Sequence, residues 1–136
     1  MKLELKHLAL YLPYGLKLFY THTKKIGQIS NIYTIGEGYD NDDIKISIDY
    51  SEGEHIWMYK PILRPLSHYK KWIIKDIKKD LECTHNQVME FLCFMDGSIS
   101  LDMATVGLYN IMCKKHIDFN GLIDKELAIN INTLEK

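Results

Sequence analysis

Between Ile44 and Tyr50, apolar and polar side chains alternate without a break. Ile44, Ile46, Ile48 and Tyr50 fall on one side, Lys45, Ser47 and Asp49 on the other. A period of two predicts a strand with one face in a core. The polar turn Ser51-Glu52-Gly53-Glu54 then lets residues 55–59 return as the second arm of a hairpin. Residues 15–20 and 28–35 are rich in aromatic and β-branched side chains and predict two more strands. Residues 36–43 read as a loop from their Gly, Asn and Asp content. Ahead of the strands, residues 5–12 predict a short helix that stops before Pro13.

Pro61 and Pro65 bracket an extended crossing, after which the period turns helical. Ser67 is placed to cap a helix running to about Leu81. At 100° per residue, Ile73, Ile74, Ile77 and Leu81 share one face of it. Lys71, Lys75, Lys78 and Lys79 occupy the opposite arc, with Trp72 at its edge. Thr84-His85-Asn86-Gln87 is a capping box opening a second helix over residues 85–95, apolar nearly all round and therefore expected at the centre. A third helix is expected over residues 101–115. It carries Thr105, Leu108, Tyr109, Met112 and Cys113 on one face, and Lys114 and Lys115 at its negative end. The tail reads as a helical turn and a short strand, residues 128–131. These elements predict one α+β domain over residues 1–136: an N-terminal antiparallel sheet with a hairpin, about three helices packed on it, and a short C-terminal strand.

With 136 residues, 46% hydrophobic and 26% charged, the chain has the composition of a globular domain with one core. No run of 18 apolar residues predicts a membrane span, and the first residues lack the pattern of a signal peptide. Three cysteines, an odd number, point to a reducing cytoplasm over a disulfide framework. The net charge of −1 hides blocks: residues 1–35 sum to +4, 36–56 to −6, 57–81 to +5 and 82–136 to −4. Sixteen of the 17 basic residues are Lys and only Arg64 is Arg. That scarcity of bidentate forks argues against a sequence-specific DNA reader.

Candidate chemistry is sparse. Cys83, His85, Cys93, Cys113 and His116 are zinc-type ligands, but Cys-x-His is not a finger spacing, and Cys93 and Cys113 fall on apolar helix faces. The acidic run fails as a calcium loop, because Ile44 occupies the third ligand position after Asp40 and Asp42. Gly-x-Ser-x-Gly, a Walker loop and Gly-x-Gly-x-x-Gly are all missing, so no enzyme, metal or cofactor is expected. Two charged stretches remain. Lys71, Lys75, Lys78 and Lys79 beside Trp72 fit either a contact to phosphates or an acidic protein surface, or simply the solvated side of an amphipathic helix. The acidic stretch with Asp40, Asp42 and Asp43 fits a cationic groove, or simply a soluble loop.

Three segments carry a resemblance. Leu12-Pro13-Tyr14-Gly15-Leu16-Lys17, then Lys60-Pro61-Ile62-Leu63-Arg64-Pro65-Leu66, then residues 119–134 with Gly121-Leu122-Ile123-Asp124-Lys125 and Leu127-Ala128-Ile129-Asn130-Ile131-Asn132-Thr133-Leu134, occur in this order. In this the chain resembles a set of small proteins from phages and prophages of Bacteroides-type bacteria, mostly without an assigned function. It departs from them at His68-Tyr69-Lys70-Lys71, where an acidic continuation is usual, and at Asn130, where an Asp is usual. The shared segments look structural, so no functional residue carries over. The resemblance implies a prophage accessory protein in the host cytoplasm. Such proteins commonly block a larger host machine, and they include anti-CRISPR inhibitors of RNA-targeting type VI effectors. The expected partner is therefore a larger host protein, such as a CRISPR effector–guide RNA complex. The partner-binding candidates are Lys71, Trp72, Lys75, Lys78, Lys79, Asp40, Asp42 and Asp43. A phage accessory protein for single-stranded nucleic acid is the alternative.

Overall fold

The computed structural model describes residues 3–34, 44–49 and 53–134. Helices pack on a mixed seven-stranded sheet, an α+β architecture as the pattern predicts. The strands are β1 (Lys17–Tyr20), β2 (Lys25–Thr34), β3 (Ile44–Ile48), β4 (Glu54–His55), β5 (Tyr59–Pro65), β6 (Ile117–Asp118) and β7 (Ile129–Asn130). They run in the order β4-β3-β2-β1-β5-β6, with β7 also paired to β5. β1 to β4 are antiparallel, and β5 takes β6 and β7 as parallel partners. β3 forms where the alternation predicts it, but its two sides are not divided into core and solvent: Ser47 is buried along with Ile46 and Ile48, and Tyr59 fixes the strand by donating its hydroxyl to the Ile46 carbonyl at 2.8 Å.

The extended crossing is the strand that joins the two halves of the sheet. β5 pairs with β1 over residues 59–61 and with β7 and β6 over residues 62–65. Its prolines are tolerated because Pro61 ends the ladder with β1 and Pro65 ends the ladder with β6. The hairpin's return arm is correspondingly short. β4 pairs for only two residues before a 3-10 turn, Ile56–Met58, drives Ile56 into the core and redirects the chain into β5.

The helices are α1 (Leu5–Leu8), α2 (Ile74–Leu81), α3 (His85–Met95) and α4 (Val106–Lys114). α3 has the expected limits and cap: Thr84 Oγ1 accepts from the Gln87 N–H at 3.3 Å, and Gln87 Oε1 from the Thr84 N–H at 2.9 Å. It is less central than its composition suggests. Val88 and Phe91 are fully buried, while Met89 lies on an exposed side. The other helices are shorter than periodicity predicts. α1 gives way to a 3-10 helix, Ala9–Tyr14, that runs through Pro13 and ends at Gly15 with φ 67°. Residues 101–103 form a separate 3-10 turn. Thr105 caps α4 instead of lying on its face, and is itself held by Glu90 of α3 through bonds of 2.6 and 2.9 Å.

The largest correction concerns the basic segment. A continuous helix from Ser67 to Leu81 does not form. Residues 66–69 make a 3-10 turn, and α2 starts only at Ile74. Tertiary contacts override helical periodicity here. Tyr69 is fully buried, edge-on to Phe91 of α3 at 5.6 Å, and Ile73 adopts an extended backbone as N-cap. The apolar face of α2 is thereby reduced to Ile77 and Leu81, and Ile73 and Ile74 turn outward.

Candidate partner-binding surface

α2 is bounded by two backbone features. Ile73 offers no side-chain acceptor at its start, and Glu82 ends it in the left-handed region with φ 53°. Trp72 precedes it, packed against Tyr69 (ring centroids 5.1 Å, planes at 70°) and His68 (5.3 Å, 48°). Even so, Trp72 is 37% exposed, Ile73 62% and Ile74 40%, three consecutive large apolar residues open to water. An exposed apolar cluster of this kind, unlike single scattered residues, is what interaction surfaces display.

Next to Trp72, Tyr69 joins a polar network with Arg64 and Asp80. The Tyr69 hydroxyl donates to Asp80 Oδ2 at 2.6 Å and accepts from Arg64 Nη1 at 2.9 Å, and Arg64 also approaches Asp80 at 3.4 Å. Burial, with the Asp80 bond second, pushes the Tyr69 phenol up to about 12, so it stays a donor at any ordinary pH. The only Arg is thus spent on structure. Through Nη1 it links β5, the 3-10 turn and α2.

Beside Trp72 opens a cleft of about 700 Å³ lined by Trp72, Ile73, Lys71, Lys79, Lys115, Asp76, Asp80 and Glu82. Its charges are unequally committed. Asp80 is engaged by Arg64 and Tyr69, and Glu82 by Lys115 and Lys114 at 3.6 and 3.7 Å. Among the described residues, Lys71, Lys79 and Asp76 form no ion pair, nor do Lys75 and Lys78 beyond the cleft. The expected basic arc is therefore divided. Lys71 and Trp72 lie ahead of α2, Lys79 faces the cleft, and Lys75 and Lys78 stand exposed on the helix outside it. Asp40, Asp42 and Asp43 lie outside the described residues.

Sequence reasoning missed Tyr69, Asp80 and Lys115. Nothing in spacing signals that Tyr69 interrupts a helix, and Lys115 reaches the cleft from the far end of α4. The candidate zinc residues do not assemble: among the described residues, no three His, Cys, Asp or Glu side chains gather around one point. Burial pushes the Cys113 thiol up to about 11 and that of Cys83 upward, which keeps both thiols protonated near neutral pH. No described helix is long and apolar enough to cross a membrane. Comparison of the chain with family models, curated proteins and solved structures gives no match.

Proposed function

We propose that the protein is a phage- or prophage-encoded inhibitor that binds a host nucleic-acid-guided defence nuclease, of the RNA-targeting type VI kind, and acts by occupation and not by catalysis. The observation that carries the binding mode is the exposed run Trp72-Ile73-Ile74 set among Lys71, Lys75, Lys78 and Lys79. An apolar centre with a charged rim is the anatomy of a protein interface, and Trp is the residue type most often found at its energetic centre. The choice of target rests on the prophage resemblance of the three shared segments.

A second reading, binding of single-stranded nucleic acid, is favoured by Trp72 lying beside Lys71 and Lys79. Against it stand Ile73 and Ile74, exposed branched aliphatics beside Trp72 that offer a base no flat platform. Phage plating tests the proposal. Cells carrying a type VI system and expressing the chain should regain sensitivity to a targeted RNA-exposing phage, and cells expressing a Trp72→Ala, Ile73→Ser variant should not. Unchanged immunity with the well-expressed parent chain would contradict the proposal.

A further inference from the structure

We infer that the Trp72 cleft receives an acidic peptide segment of a partner protein, one that sets carboxylates beside Lys71 and Lys79 and an aromatic or aliphatic side chain on Trp72 and Ile73. The inference rests on the binding role proposed above and names the chemistry of its partner. Two observations carry it.

The first is charge left over after internal pairing. The carboxylates of Asp80 and Glu82 are already committed to Arg64 and Tyr69 and to Lys114 and Lys115. Around α2 this leaves Lys71, Lys75, Lys78 and Lys79 without ion pairs among the described residues, against Asp76 alone. A surface with that imbalance gains from an acidic partner and is steered towards one, most strongly at low salt. The second is the apolar triplet. Ile73, the most exposed of the three, and Ile74 are branched aliphatics, which offer a base no flat platform but give an apolar peptide side chain a seat. Trp72 is already braced against Tyr69 and His68, so its ring is held in place before a partner arrives and little ordering is left for binding to cost.

The test uses the full chain, isotope-labelled, and three probes. One is a twelve-residue peptide alternating Asp or Glu with Leu and Phe, another the same peptide with Lys in place of the acids, and the third a twelve-nucleotide oligouridylate. The acidic peptide should shift backbone amides within residues 70–82 and the Trp72 indole N–H, with little movement in β2 and β3. Lys71→Glu with Lys79→Glu changes two exposed residues and should leave the melting curve in place while weakening that binding at least about tenfold. Trp72→Ala should weaken it as well, and the double-lysine variant keeps the test valid if Trp72→Ala fails to fold. The inference is overturned if the acidic peptide gives no shifts there, if the basic peptide or oligouridylate binds as well or better, or if the same amides shift on raising the concentration of the chain alone. Failure here is distinct from failure of the inhibitor role. A variant with both lysines reversed that still blocks the nuclease overturns this inference and leaves that role standing. Peptide binding without nuclease inhibition does the reverse.

Discussion

His7 accepts a hydrogen bond from the Glu4 N–H through Nδ1 at 2.9 Å, closing the first turn of α1. Only a ring without a proton on Nδ1 can accept there. Burial is the main cause that holds His7 below its usual value, helped by Lys6 and Lys125 and opposed by Glu4. Because the folded-state pKa is the lower one, the unfolded chain binds the proton more readily. The stabilisation is therefore complete above about pH 6.5 and is lost as the pH falls through the folded-state value. Amide exchange should show residues 4–8 losing protection as the pH falls below about 6.5 while α3 keeps its own. Parallel loss in both would contradict this. Tyr69 supplies a second single-residue test. Tyr69→Phe keeps the ring packing on Phe91 and Trp72 but removes the hydroxyl that bridges Arg64 and Asp80. Arg64 Nε is already buried without a partner, so the loss should cost about 1–3 kcal/mol in chemical denaturation. A change under about 0.5 kcal/mol would mean that the Arg64–Asp80 contact suffices alone.

At the scale of elements, the best-read features are those whose signal is local. The capping box gives α3 both its start and its fold, since Thr84 and Gln87 satisfy each other's N–H groups within four residues. Thr84→Ala should lower stability by about 1 kcal/mol and Thr84→Ser should restore most of it, read from urea midpoints. Equal midpoints for all three would show that Gln87 carries the cap. The position of β3 is equally legible from the local alternation of its sequence, although the fold buries Ser47 together with Ile46 and Ile48. β5 is not, because its strand character depends on partners far away in sequence. Residues 60–66 look like a proline-bracketed crossing until β1, β6 and β7 align on them. β6 is two residues long, too short for any period, and its Asp118 tolerates burial because the carboxylate accepts from the Leu122 and Ile123 N–H groups, both at 2.8 Å. α2 misleads for a third reason. Its helical period is real from Ile74 onward, but the burial of Tyr69 stops it from extending back to Ser67. That same interruption places Trp72 and Ile73 in the open.

Across the whole molecule, the charge blocks of the chain translate into space only in part. The basic block of residues 57–81 contributes Arg64 to the interior network, Lys71 and Lys79 to the cleft, and Lys75 and Lys78 to the adjoining surface, while Lys115 joins from the acidic last block. Lysine spacing made four of these cations visible in advance. The pairing that leaves some of them unsatisfied was hidden, because it depends on which carboxylates the fold brings alongside. We propose that this surface holds a defence nuclease by one-to-one occupation. The most direct test is a titration of the chain into a purified type VI effector loaded with guide RNA, with cleavage of a reporter RNA as readout. Activity should fall linearly and end near equimolar chain, and Lys71→Glu with Lys79→Glu, equally folded, should abolish the effect. Full cleavage at excess chain, or inhibition by the parent chain far below equimolar as a catalyst would give, contradicts the proposal.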